Sequence, residues 1–183
     1  LMLQMLCEEK DMAKISVYLS QISQWEAAKA QVVYSNNLLI NCILTSSFAQ
    51  AARHAIKISH QVMVSEELPI SDTDLSSLLM NMLDNAVEAC MIVPEGCRWI
   101  DIRIQTKDTF LLIMCGNSKI GPTIVKGNSF QSTKPDQGTH GYGVLAMKAI
   151  VERYGSMLNI HYDEHSFTVK TMLPLSSGQP APS

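Results

Sequence analysis

No C-x-x-C pair occurs in this chain, no apolar run reaches the ~20 residues that span a bilayer, and no surplus of Lys and Arg offsets the acids. Each absence closes off a class of function. The five cysteines, Cys7, Cys42, Cys90, Cys97 and Cys115, are scattered and odd in number, which fits free thiols in a reducing compartment. Fourteen basic against 17 acidic residues give a net charge of −3 and a pI of about 5.9, so nucleic-acid binding is disfavoured. Nothing at the start reads as a signal peptide. The chain opens at Leu1 in mid-pattern and is expected to be a segment of a longer protein, with room for a membrane segment upstream. What remains is 46% hydrophobic and 17% charged over 183 residues, enough for one large domain, or one domain with a short appendage, built on a real core.

Hydrophobic periodicity sets the organisation. Residues 1–6 read as the tail of a helix, and after a polar break Met12 to Ala30 reads as a second, with Ile15, Leu19 and Ile22 on one face. The two make a helical hairpin over residues 1–32 that is too small to fold alone. Asn37 and its neighbours form an N-cap cluster for a helix from Leu38 to about Ile56. His60 to Val64 alternates loosely as a strand. Ser71 or Asp72 caps a helix running from about Asp74 to Met91. Trp99 to Thr106 and Phe110 to Cys115 form a hairpin, 116–143 is a long polar loop, Val144 to Tyr154 is a helix stopped by Gly155, and Met157 to Tyr162 and Ser166 to Leu173 close a second hairpin. The order predicts an α+β fold over 33–175, a two-layer sandwich whose mixed, largely antiparallel sheet is covered on one face by helices. The tail 176–183, rich in Ser, Gly and Pro, reads as a disordered linker.

Four stretches carry polar chemistry where a core would not. The segment LMNMLDNAVEAC, Leu79 to Cys90, sets Asn81 and Asn85 four apart on one face of a helix, with Asp84 and Glu88 beside them. Asn is a poor helix-interior residue, so the pair is either a solvated edge or a ligand stripe. Gly138-Thr139-His140-Gly141-Tyr142-Gly143 opens directly into a helix, where free N–H groups and the helix dipole make an anion site. Upstream, Ser132, Thr133 and Lys134 offer two hydroxyls and a cation suited to a triphosphate. Asn117 sits at the end of an apolar strand, ahead of that long loop. Singly, each is also what an ordinary turn or surface would show.

Together, and in this order, NMLDNAVEA, GNS, STK and HGYGV resemble the ATP-binding domain of the GHKL superfamily (gyrase, Hsp90, histidine kinase, MutL). Within it the chain looks most like sensor histidine kinases of the peptide-pheromone and citrate-sensor type, over residues 35–174. That resemblance implies ATP and Mg²⁺ as ligands. Asn85 would be the Mg²⁺ ligand and Asn81 its neighbour at the phosphates, with Glu88 shaping the site edge. Gly141, Tyr142 and Gly143 would match the second glycine box, Ser132, Thr133 and Lys134 the lid, and His140 a further phosphate contact. Asn117 would stand where the family's first glycine box, Asp-x-Gly-x-Gly, has its adenine-binding Asp; the glycines of that box are missing here.

The resemblance also implies a phosphoacceptor His on the first hairpin, followed by relay to a response regulator receiver domain. The five histidines lie at 54, 60, 140, 161 and 165, none of them in that hairpin, so no catalytic residue is expected in this fragment. Residues 1–32 would be the remnant of a dimerisation hairpin, which implies a homodimer and a cytoplasmic domain of a membrane-bound bacterial sensor. Two other readings differ in class. A degenerate module without ATP binding would serve as a phosphotransfer or dimerisation scaffold. A GHKL ATPase would need a carboxylate where Asn81 stands, and an amide there argues against hydrolysis.

Overall fold

The chain divides into two compact units, Leu1–Val33 and Tyr34–Ser183. A computed structural model describes residues 33–121, 124–126, 129–131 and 142–175. The expected hairpin of residues 1–32 and the tail 176–183 lie outside the described residues.

Helix α1 spans Leu38–Arg53. Asn37 starts it: its Oδ1 accepts from the Ile40 N–H at 3.0 Å, and its Nδ2 donates to the Glu66 carbonyl at 2.8 Å. Such a cap is worth ~1 kcal/mol. The helix stops three residues before the expected Ile56. Ala55 takes a left-handed φ of 53°, and the Ile56 N–H turns back to the Ala51 carbonyl at 3.1 Å. This is the usual αL helix stop made by an alanine, so no glycine marks it in the sequence. The chain is thereby released earlier, and strand β1 covers Lys57–Met63 instead of 60–64.

Helix α2 spans Asp72–Met91. Ser71 holds the N-cap position, as expected, yet its side chain makes no capping bond. Its N–H instead donates to the Tyr154 hydroxyl at 3.2 Å. Strands β2 (Trp99–Lys107) and β3 (Phe110–Ser118) form the expected hairpin, with β3 running three residues further than Cys115. A short hairpin, β4 (Ile124–Lys126) and β5 (Ser129–Gln131), interrupts the segment read as loop. Helix α3 (Tyr142–Arg153) ends at Gly155, whose φ of +64° and N–H bond to the Glu152 carbonyl at 2.9 Å make the predicted stop. Strands β6 (Asn159–Tyr162) and β7 (Ser166–Pro174) complete the fold.

The main sheet has five strands in the order β1-β2-β3-β7-β6. Only β1–β2 is parallel; the other three pairings are antiparallel. One face of the sheet meets the helices. Along β2, Ile100, Ile102 and Ile104 are buried whereas Trp99 and Arg103 are exposed, the period-two signature of a sheet covered on one side. Against that face pack Ile40, Leu44 and Phe48 of α1, Leu75, Leu78, Leu79, Met82 and Leu83 of α2, and Met147, Ile150 and Val151 of α3. Each such side chain is worth ~1.5–3 kcal/mol of burial. The expected two-layer α+β architecture, with a mixed sheet and helices on one face, is the one observed.

Candidate functional site

Helix α2 sorts its residues by burial at helical spacing. Leu78, Leu79, Met82, Leu83, Ala86, Val87 and Cys90 are buried, and Met80, Asp84, Glu88 and Met91 are exposed. Between the two runs a half-buried stripe, Ser77, Asn81, Asn85 and Ala89, each four residues after the last. The sequence could not decide between a solvated edge and a ligand stripe; the helix sets both amides on a rim that neither the core nor open solvent claims.

Helix α3 begins against this rim. A Cβ on Gly143 would lie 3.0 Å from Asn81 Oδ1, and 3.4 and 3.5 Å from Nδ2 and Oδ1 of Asn85. A side chain here would be tight against Asn81, because the two helices approach this closely. The amides differ in what holds them. Asn81 Nδ2 donates to the Ser77 carbonyl at 2.7 Å and lies 3.4 Å from Ser77 Oγ, which turns its Oδ1 toward α3. The Asn85 carboxamide makes no hydrogen bond among the described residues and keeps its full capacity for a ligand.

Asn117 lies inside β3, paired with Ile100 and Phe167, and is only 3% exposed. It follows Leu111, Ile113 and Cys115 on the helix-facing side. Cys115 Sγ is 3.8 Å from the Met82 carbonyl, and Cys90 Sγ is 3.3 Å from Ser118 Oγ. The end of β3 therefore runs alongside the second half of α2, and Asn117 falls between those two contacts. Burial pushes the Cys115 thiol up to about 12, so it stays protonated.

Glu88 is on the exposed shoulder of the stripe. With partial burial as the main cause, it helps to hold Asp84 above the ordinary carboxylate range. The backbone of Tyr142 opens α3. Ser132, Thr133, Lys134, His140 and Gly141 lie outside the described residues. Of the residues singled out from sequence, the described structure thus brings together Asn81, Asn85 and Gly143 and sets Asn117 on the strand beside the same helix.

Sequence reasoning missed the opposite end of the helix pair. Asp74, buried, receives the Tyr154 hydroxyl at 2.9 Å and an ion pair from Arg153. It also missed Arg98, whose guanidinium donates at 2.7 Å to both the Val93 and His54 carbonyls, tying the turn after α2 to the end of α1. Asp74 and its partners are 79 and 80 positions apart, so no local pattern announces them. Among the described residues no His, Cys, Asp and Glu side chains cluster as a metal site, and no helix is long and apolar enough to cross a membrane.

The family described as the GHKL domain matches residues 70–174, more than half of the chain and everything from the start of α2 to β7. Among solved structures, the catalytic domain of histidine kinase ThkA superposes with a TM-score of 0.57 at 23% identity, over 76% of this chain and 93% of that one. The mycobacterial sensor histidine kinase MprB gives 0.51 at 17% identity, over 74% and 95%. Histidine kinase AdeS of Acinetobacter baumannii gives 0.53 at 11% identity, over 95% and 83%. At these identities the likeness is one of fold. Curated protein sequences give no match.

Proposed function

We propose that this chain, which belongs to the GHKL-domain family, is the nucleotide-binding catalytic domain of a sensor histidine kinase. Its role is to hold Mg-ATP and present the γ-phosphoryl group to a histidine on a dimerisation hairpin. The observation that carries this is the junction of α2 and α3: Gly143 stands where a Cβ would crowd Asn81 and touch Asn85, and the Asn85 amide is unpartnered among the described residues. A hard cation that keeps most of its waters and takes further oxygens from phosphate needs only one or two protein oxygens, and a neutral amide is suited to supply one. The residues present therefore fit Mg²⁺ at Asn85, phosphates at Asn81 and the start of α3, and a base at Asn117. The bound metal supplies charge neutralisation to the phosphates.

The chain's own task is positioning. Backbone N–H groups at the start of α3 would meet the anionic oxygens, and the helix dipole would add to their pull. On this reading Gly141 and Tyr142 would serve as the glycine box at that helix start, Ser132, Thr133 and Lys134 as the lid, His140 as a further phosphate contact and Glu88 as the edge of the site. Phosphoryl transfer asks little covalent chemistry of the protein, so orientation and charge are the catalysis. The amide at Asn81 offers no base for water, which favours transfer over hydrolysis. The acceptor histidine, the homodimer through residues 1–32, the receiver-domain partner and a membrane-bound bacterial sensor outside this segment all belong to this reading. So does membership of the peptide-pheromone and citrate-sensor subgroup.

The test is thermal melting with Mg-ATP. Ligand at ~100 times its dissociation constant adds roughly 2.7 kcal/mol to stability. Wild type should show that rise, and Asn85→Ala should lose most of it while melting normally without ligand. A wild type that ignores Mg-ATP sinks the reading and favours the scaffold alternative, for which the missing first glycine box speaks.

A further inference from the structure

We propose that Cys90 and Ser118 are positioning residues that lock the Asn117 carboxamide in one orientation, making the site selective for a base bearing an exocyclic amino donor over one bearing a carbonyl there. The proposal rests on the nucleotide reading above.

Asn117 Nδ2 donates to the Ser118 carbonyl at 3.0 Å, and no donor reaches its Oδ1 among the described residues. An amide that turned over would set Oδ1 against the carbonyl oxygen of Ser118, two acceptors facing each other, and strand Nδ2 in a buried setting. The side chain is thus a one-way acceptor, the role a carboxylate would have without its charge. The lock holds only while Ser118 holds still. Its Oγ accepts from the Trp99 N–H at 3.0 Å and lies 3.3 Å from Cys90 Sγ. Cys90 Sγ, fully buried, also donates to the Trp99 carbonyl at 3.3 Å and lies 3.7 Å from the Ser118 carbonyl. Helix α2, β2 and the end of β3 are stitched at this point, and the stitch fixes the carbonyl that orients Asn117.

ATP and ITP differ at the base position in question, an amino donor in one and a carbonyl in the other. Isothermal titration of the whole chain with each, in Mg²⁺, reads the lock as a ratio of affinities. Wild type should prefer ATP by about tenfold, the effect of one hydrogen bond to a group otherwise left unpaired. Ser118→Ala and Cys90→Ala should cut that ratio several-fold, and Cys90→Ser, which keeps a donor, should restore it. Equal affinity in wild type overturns the proposal, as does a ratio that survives in both alanine variants. Wild type that binds neither nucleotide removes the nucleotide reading itself. The lock is then still read without ligand or mutation, from the Asn117 side-chain NH₂ in NMR: a slowly exchanging proton supports it, and two protons exchanging as freely as a surface amide's overturn it.

Discussion

The helices α2 and α3 meet at two ends, and the ends are built differently. At one, Asp74 is buried and saturated: Tyr154 donates to it, Arg153 pairs with it, and the Tyr154 hydroxyl in turn accepts the Ser71 N–H. At the other, Gly143 sits against Asn81 and Asn85, and Asn85 has no hydrogen bond among the described residues. Buried polar groups are normally satisfied, and an unsatisfied one costs about 1–3 kcal/mol. A half-buried amide without a protein partner, beside a glycine that makes room, can turn to water or, on the function proposed above, to a ligand. The saturated end stabilises the helix pair, and the unsaturated end is open to a ligand.

The largest way to break this contrast is Asp74→Ala. Removing one partner of a buried pair is costly because the others are stranded, about 3–5 kcal/mol in well-buried cases. Arg153 is half exposed and can turn to water, so the lower end of that range, about 3 kcal/mol, is expected in urea unfolding. A loss below about 1 kcal/mol would mean that the buried network contributes little to joining the helices.

Gly143→Ala should do the reverse. Alanine gains ~0.5–1 kcal/mol in helix propensity, and the contact at 3.0 Å to Asn81 Oδ1 costs a comparable amount, because Ser77 holds that amide in place. Stability should therefore move by less than about 1 kcal/mol, while Mg-ATP affinity falls at least tenfold as the new methyl occupies the approach to both amides. Calorimetric titration beside a melting curve checks both halves; unchanged affinity would detach Gly143 from the site.

How much of this was legible in the sequence follows the range of the interactions. The stripe of Asn81 and Asn85, the β2–β3 hairpin and the stop at Gly155 are local patterns, and they appear where periodicity put them. Helix α1 ends early because Ala55 adopts a conformation that glycine usually signals. Asn117 reads from sequence as the end of an apolar strand whose regular part closes at Cys115, and the ladder carries on through it to Ser118 because it pairs with Phe167 on β7, a strand 50 residues downstream. The Asp74 network and the Arg98 tie are long-range, and an isolated acid at a helix start or an arginine before a strand looks like surface in a sequence. The candidate site's own elements are short motifs that a sequence can show, whereas the supports that fix their spacing are not.

The smallest expected effect lies on the exposed side of the same stripe. Partial burial, with Glu88 one turn away adding repulsion, holds the Asp84 carboxyl above its ordinary range. A folded state that binds this proton more tightly than the unfolded chain is favoured by acid. Asp84 thus contributes stability below its unfolded value, near 3.9, and that contribution is lost as pH rises through the higher folded value. Glu88→Gln removes the repulsion, so the Asp84 midpoint, followed by NMR of its side-chain carboxyl, should move down toward the ordinary range. At neutral pH the gain in stability should be no more than about 0.3 kcal/mol, because the pair is largely screened by water. The burial part of the shift should persist in that variant; a return of Asp84 all the way to an ordinary value would make repulsion, rather than desolvation, the main cause.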